Sequence, residues 1–558
     1  MSRRSWITLP LLGVVALSLA CGGAAAPTAT VAPATAPTAT RAPVAAAATA
    51  TPFATPAPTA VASAKPTGVV TVADGSTAYD AKQFDPAFWQ GSTFFGGFRG
   101  LYRVVYEPLA FTDADGKIEQ PILATSWKMA PDGLSWTFQL RKGVKFQNGE
   151  DFNSEVMAKN MARAKGIGAP FYQQNVSGYD TTDPYTLVVK LKKPDLALIS
   201  RLIYSTRIGY PAPAGYIDSK AGGTVGDRPI GTGPYKFVSV DTAALELKIE
   251  AWEDWGGYWG FKPTVKTVRF LGIPEQTTRI AMLSTGEADI VTLAAGPKIR
   301  EVRGGTVHTS DSVSASWVEF FNQGDPSSPY GNVKVRQAIN YAVDKEAMID
   351  KLLGGAAILM ASTVSPIQFG FAKDLKPYPY DPAKAKQLLK EAGYPDGFDG
   401  GSIFASTAEQ RTNSEAIVAY LADVGIKVKV TPVDGATFQS RWIPPKHNLN
   451  LEKGMGWLGS SLPGDAAYRI ESFFTKYGDW GYVVDPGLDA NYDKTLTTLD
   501  VSERERLLQQ LATYTNQNAQ KLFLWNNKAV YGWGPRIADW KLTPGEAAFD
   551  NAQSIRLK

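Results

Sequence analysis

Cysteine is almost missing: the one cysteine in 558 residues is Cys21, so no disulfide can close within the chain and no cysteine cluster can hold a metal. Histidine is nearly as scarce. His308 and His447 are the only two, which leaves little material for a Ser-His-Asp triad and none for an H-E-x-x-H zinc helix, and no G-x-S-x-G elbow occurs. Long basic runs are also lacking. With a formal net charge of +4 and no Lys/Arg block to follow a phosphate backbone, nucleic acid is not an expected partner. These gaps argue against an enzyme and call for no cofactor or metal. Carboxylate pairs of the glycosidase kind have no fixed spacing along a chain, so an exported glycoside hydrolase stays open as a remote alternative. Beyond the first residues, no apolar run approaches the ~20 residues of a membrane span.

What is present begins at the N-terminus. Arg3 and Arg4 precede an apolar stretch from Ile7 to Ala20, and Leu17-Ser18-Leu19-Ala20-Cys21 follows the order of a signal peptide, residues 1–20, with a small residue before the cut. The segment resembles a bacterial lipoprotein signal, which implies lipidation at Cys21, with Ser18 where Leu is commoner. Ser2-Arg3-Arg4-Ser5-Trp6-Ile7 leaves both Sec and twin-arginine export open. Ala, Pro and Thr then dominate, so residues 21–67 read as a disordered tether whose prolines favour an extended chain.

From Gly68 the pattern alternates between strand and helix. Asp381-Pro382, Leu388, Leu389, Ala392 and Gly393 predict a capped, amphipathic, glycine-stopped helix, and Ser502-Glu503-Arg504-Glu505 predicts a capping box at the start of another. Trp136, Phe138 and Leu140, and again Leu187, Val189 and Leu191, alternate as strands do. The fold class is α/β. Asp113-Ala114-Asp115-Gly116 reads as a hairpin turn rather than a calcium loop, and Gly231-Thr232-Gly233-Pro234 as a tight turn with permissive φ. Gly454, Gly456 and Gly459 spell G-x-G-x-x-G, but Ser460 to Gly464 does not open a helix as a dinucleotide site requires.

Several stretches together resemble one family. They are Val105 to Leu109, Leu123 to Trp127, Asp132-Gly133 through Phe138 to Asn148-Gly149, Gly231 to Tyr235, Val335 to Asp344, and Asp381 to Tyr394. The chain is similar to the extracytoplasmic solute-binding proteins (family 5) of oligopeptide, dipeptide and nickel ABC importers. The resemblance implies a bilobed periplasmic-binding-protein-like fold, type II in the large peptide-binder variant, with an inserted subdomain. Lobe I would comprise 68–107, 227–322 and 529–558, the inserted subdomain 108–226 and lobe II 323–528, with hinge crossings near Asn322 and Lys528. A monomer would capture a peptide or other small solute between the lobes and deliver it to the permease subunits, anchored by lipid to the outer face of the cytoplasmic membrane or in the periplasm.

Carried over residue by residue, the resemblance implies ligand contacts at Trp89, Gln90, Gly91 and Ser92, at Trp317, at Phe438 and at Trp457, with Gly459 and Ser460 following. Core packing is the ordinary fate of such aromatics. Peptide-binding relatives place an amine-pairing Asp where this chain has Ser460. Asp465 is the nearby carboxylate that a rearranged loop would bring to the same spot, although an exposed loop position is the plainer expectation. The 14 tryptophans, with Trp252, Trp255 and Trp259 crowded together and Trp442 near Trp457, keep oligosaccharide open as the solute. A nickel chelate also stays open, with His447 the better placed histidine.

Overall fold

Alternating burial along Ser135–Leu140, with Trp136, Phe138 and Leu140 inward, is the local rule from which the sheets are built. The computed structural model describes residues 65–77, 84–88, 103–112, 119–164, 169–196, 198–200, 202, 208–220, 225–257, 262–442, 453–461, 464–478, 480–482, 485–542 and 552–558. The signal segment, Cys21, nearly all of the tether, Trp89 to Ser92, Asp113 to Gly116, Trp259 and His447 lie outside the described residues, as does the side chain of Trp442.

The first strand, β1 (Thr67–Asp74), enters a sheet that the chain completes only at its end. β2 (Ala110–Thr112) and β3 (Glu119–Pro121) pair antiparallel. β4 (Ala124–Met129), β5 (Ser135–Leu140), β6 (Val176–Asp183) and β7 (Thr186–Leu191) form an antiparallel sheet in the order β4-β5-β7-β6. Its own core, centred on Phe138, Phe146, Met157 and Leu187, makes it a separate subdomain.

The chain then returns to the first sheet through β8 (Tyr235–Asp241), β9 (Glu246–Ala251), β10 (Val265–Gly272), β11 (Ile290–Leu293) and β12 (Thr306–Ser310). A second large sheet follows, built from β13 (Ala315–Phe320), β14 (Ala357–Leu359), β15 (Phe398–Ala405), β16 (Ile426–Pro432), β17 (Gly454–Ser460) and β18 (Lys521–Asn527). β19 (Ala529–Trp533) goes back to the first sheet, and β20 (Ile537–Asp539) pairs with β21 (Arg556–Leu557). The orders are β12-β19-β11-β1-β10-β9-β8 and β14-β18-β13-β17-β15-β16.

Three details depart from the sequence reading. The first crossing between sheets is not at Asn322: β12 pairs with β19 and β13 with β17 and β18, so the change falls between Ser310 and Ala315. Asn322 instead forms a left-handed turn (φ 57°) at the opposite end of β13, where Phe321 N–H donates to Gly454 O. The return crossing is Lys528, between β18 and β19. The capping box at Ser502 is replaced by a cap at Asp500, whose carboxylate accepts from Glu503 N–H at the start of the helix Val501–Gln517. Gly231 and Gly233 serve close approach rather than positive φ, since a Cβ on either would meet the Val105 or Val104 carbonyl at 2.1 and 2.4 Å. Gln147 fastens the same turn, donating to Gly233 O (3.1 Å) and Tyr235 O (2.8 Å), and so ties the subdomain to the first sheet. The helix Pro382–Glu391 matches its prediction, with Asp381 capping Lys384 N–H and Gly393 at φ 91°.

Candidate functional site

Both large sheets present the carboxyl ends of their parallel strands to the crossings. In the first, β1 runs parallel to β10 and β11, and Leu293 at the end of β11 pairs with Val530 near the start of β19. In the second, β15 runs parallel to β16 and β17, and Ser460 at the end of β17 pairs with Ala315, which also pairs with Asn526. In open α/β sheets, ligands bind outside these carboxyl ends.

On the first-sheet side this edge is held by buried charge. Asp85 is fully buried; its Oδ1 accepts from Ala87 N–H (3.0 Å) and Arg163 Nη2 (2.7 Å), and its Oδ2 from Arg163 Nη1 (3.0 Å) and Val225 N–H (2.9 Å). Three separated stretches thereby meet at the turn Pro86–Phe88, immediately before the sequence candidates Trp89 to Ser92. Arg279 closes the ends of β10 and β11, donating to Ile273 O, Pro274 O and Thr292 O.

In the second sheet, strand parity sorts the remaining candidates onto two faces. Trp317 pairs with Leu458 and Phe523, and its 1% exposed ring meets Phe473 edge-on at 4.8 Å. Phe438, 6% exposed, joins the same cluster with Phe404, Leu458 and Ile470, and alternation along β17 puts Ser460 on this face too. Trp457 points the other way, packing 5.9 Å from Trp525 in the second cluster, and Gly459 shares its parity. The structure thus puts Trp317 and Phe438 in one buried cluster with Ser460 on the same strand face, and separates Trp457 from them.

Asp465 is not the exposed loop residue the sequence suggested. It is 5% exposed, caps the helix Ala466–Phe474 by accepting from Ala467 N–H (2.8 Å), and pairs through Oδ2 with Arg504 Nη1 at 2.5 Å, a side chain just as buried. Both oxygens are engaged, so neither is free to take the role of the relatives' amine-pairing Asp.

Arg469 was missed by the sequence reading. Wholly buried, it donates to Thr363 O (2.6 Å), Val313 O (2.7 Å) and Ser460 O (3.2 Å), joining the first crossing to the end of β17. Burial lowers its pKa to about 9. A signal was available: Arg469 interrupts the apolar stripe of Ala466, Ile470 and Phe473, where a charge has no ordinary place. Trp255, by contrast, is scaffold, 1% exposed with its indole N–H donating to Glu107 Oε1 at 3.2 Å. His308 stacks flat on Trp533 within the first sheet. Among the described residues, no group of three His, Cys, Asp or Glu is arranged to hold a metal, and no helix is long and apolar enough to cross a membrane.

Comparison with known proteins agrees with this architecture. The family model of bacterial extracellular solute-binding proteins, family 5, matches residues 119–479. The glutathione-binding protein GsiB of Shigella dysenteriae is 30% identical over 433 residues, covering 73% of this chain and 80% of its own; that of Salmonella choleraesuis is 29% identical over 431 residues with the same coverage. Two solved structures share the bilobed fold. The periplasmic binding protein DppA of Helicobacter pylori, in complex with the peptide STSA, has TM-score 0.68 and 23% identity, covering 88% of this chain and 98% of its own. NikA of Brucella suis, in complex with Fe(III)-EDTA, has TM-score 0.73 and 22% identity, covering 88% and 100%. With a family match over well more than half its length, the chain belongs to the family 5 extracellular solute-binding proteins, which capture solutes for ABC importers outside the cytoplasm.

Proposed function

We propose that this protein captures a short peptide or peptide-like solute at the carboxyl edge of its two sheets and delivers it to an ABC permease without chemically altering it. What supports this reading is that Trp317 and Phe438 share one buried cluster, on the strand face that Ser460 takes by parity at the end of β17, in a chain whose curated relatives are named for binding glutathione, a tripeptide-sized solute. Trp89 to Ser92, which follow the Asp85 anchor in sequence, are the further ligand contacts that the family resemblance implies. Asp465 is committed to Arg504 and Ser460 carries no charge. The solute group nearest Ser460 is therefore a hydrogen-bonding one rather than an unpaired ammonium, because a desolvated cation without a counter-charge costs several kcal/mol. Trp457 acts from behind the strand, holding β17 through Trp525.

The protein works as a monomer, lipidated at Cys21 and held off the membrane by its Ala/Pro/Thr tether. The folded lobes exchange between open and closed forms, and solute that touches both lobes favours the closed one. The lobes divide at residues 311–314 and at Lys528.

A thermal-shift screen of the full chain against reduced glutathione, dialanine, a tetrapeptide, an oligosaccharide and a nickel chelate tests the assignment. A solute at 100 times its dissociation constant stabilises by ~2.7 kcal/mol, and the peptide arms are expected to respond. Phe438→Leu should weaken any such hit while the unliganded Tm moves little. A response confined to the oligosaccharide or the chelate defeats the peptide assignment, and hydrolysed product in the incubation defeats the binding role. Separately, Cys21→Ser should release the protein from the membrane fraction.

A further inference from the structure

Seven large apolar side chains stand exposed among the described residues, and three of them, Leu134, Leu499 and Val501 (39%, 39% and 65% exposed), lie on two turns from opposite halves of the molecule. One is the turn between β4 and β5 in the inserted subdomain. The other is the corner between the helices Pro486–Thr497 and Val501–Gln517, which pack on the second sheet through Leu488, Tyr492, Leu508 and Leu511. The turns meet: a Cβ at Gly133 would stand 3.6 Å from Leu499 Cδ2.

Both turns are fixed by their own hydrogen bonds. Gly133, at φ 73°, donates to Ala130 O (2.9 Å), Leu134 N–H to Asp132 Oδ1 (2.9 Å), and Leu191 N–H to Leu134 O (2.8 Å). Pro194 closes against Gly133, its Cβ 2.9 Å from where a Cβ would be. On the other side, Thr498 N–H and Oγ1 donate to Lys494 O (3.0 and 2.7 Å), and Asp500 caps the next helix at 2.7 Å, so Leu499 sits between two tied ends. Apolar side chains are placed at this spot on rigid mounts, where exposed turns ordinarily carry polar residues.

We propose that these turns form an apolar clasp that engages when the lobes close and so raises the closed fraction. The proposal rests on the capture reading for its purpose but not for its geometry. The subdomain is fastened to the first sheet by Gln147, whereas the corner belongs to the second sheet, so the proposed opening at the crossings is expected to part Leu499 from Gly133. Apparent affinity scales with the population of the competent form. Clasp strength therefore tunes affinity from residues that never touch the solute.

The test uses the full chain carrying Cys21→Ser, which leaves no thiol. Added Leu134→Cys and Leu499→Cys should cross-link through a short bis-maleimide without any solute, far more efficiently than Val238→Cys with Leu499→Cys, since Val238 is an exposed position on β8. Equal yields from the two pairs overturn the proposal, whatever the protein binds. With a solute from the screen, Leu499→Asp should weaken affinity by roughly threefold to fivefold, the amount that half-burial of one leucine supplies, and enlarge the unliganded radius of gyration. Unchanged affinity and radius with a normal Tm overturn the clasp and leave capture standing, whereas an empty screen bears on capture and leaves the cross-linking result decisive for the clasp.

Discussion

Glu319 and Lys521 face one another across β13 and β18 with side chains 0% and 1% exposed and N–O distances of 2.5 and 2.6 Å. Lys521 also donates to Phe473 O (3.0 Å) and lies 4.6 Å from the Phe474 ring, while Gln323 donates to Glu319 Oε1 at 3.2 Å. Burial pushes the Glu319 carboxyl up to about 7 and the Lys521 ammonium down, and their mutual attraction opposes both shifts. Such a pair adds little over an apolar substitute, yet breaking it strands a charge in the core. Lys521→Met is expected to cost about 3–5 kcal/mol, measured as a fall in urea midpoint. Glu319→Gln combined with Lys521→Met should recover most of that loss. If the double variant is no more stable than the single one, the damage comes from lost packing rather than a stranded carboxylate. Nothing adjacent in sequence announces the pair, because its members lie on strands that meet only in the folded sheet.

At the scale of elements, sequence was most legible where the signal is local. Asp381-Pro382 and Gly393 bracket a helix because caps act within one turn, and Trp136 to Leu140 reveal a strand because alternation needs no partner. Register and long-range pairing were not legible. The family resemblance implies one site for Trp317 and Trp457, but the strand alignment that puts Trp317 opposite Leu458 sends Trp457 to the other face. Asp465 reads as a solvated loop residue in sequence because Arg504, its partner, arrives from another helix. Caps also compete: Ser502-x-x-Glu505 satisfies the capping pattern, yet Asp500 reaches Glu503 N–H first and begins the helix earlier. Asp500→Ala should therefore lower stability by ~1 kcal/mol, the usual worth of an N-cap, and Ser502→Ala should be close to neutral in the same thermal melts. The reverse order would restore the capping box.

For the whole molecule, the position of the crossings decides where the lobes can turn. Residues 311–314 are not uniformly free, because the second lobe grips part of them. Ser365 Oγ donates to Ser312 O at 2.9 Å, Asn526 Nδ2 donates to the same carbonyl, Arg469 holds Val313 O, and Asn527 N–H donates to Ser314 O at 2.7 Å. Under the proposed lobe rotation the pivot is expected on the first-sheet side of these bonds, at Asp311 and at the junction of Lys528 with Ala529, because Lys528 N–H is itself held by Ala356 O (3.0 Å). Amide hydrogen exchange of the unliganded protein should show protection at Ser314, Ala315 and Asn527, and fast exchange at Asp311. Ser365→Ala removes one tie and leaves a half-buried carbonyl less satisfied, so exchange across Ser312 to Ser314 should rise with a loss of about 1 kcal/mol in stability. Fast exchange centred on Phe321 to Gln323 instead would return the pivot to Asn322. The sheet topology argues against that outcome, because a bend there would disturb the turn at the far end of β13 without moving one lobe against the other.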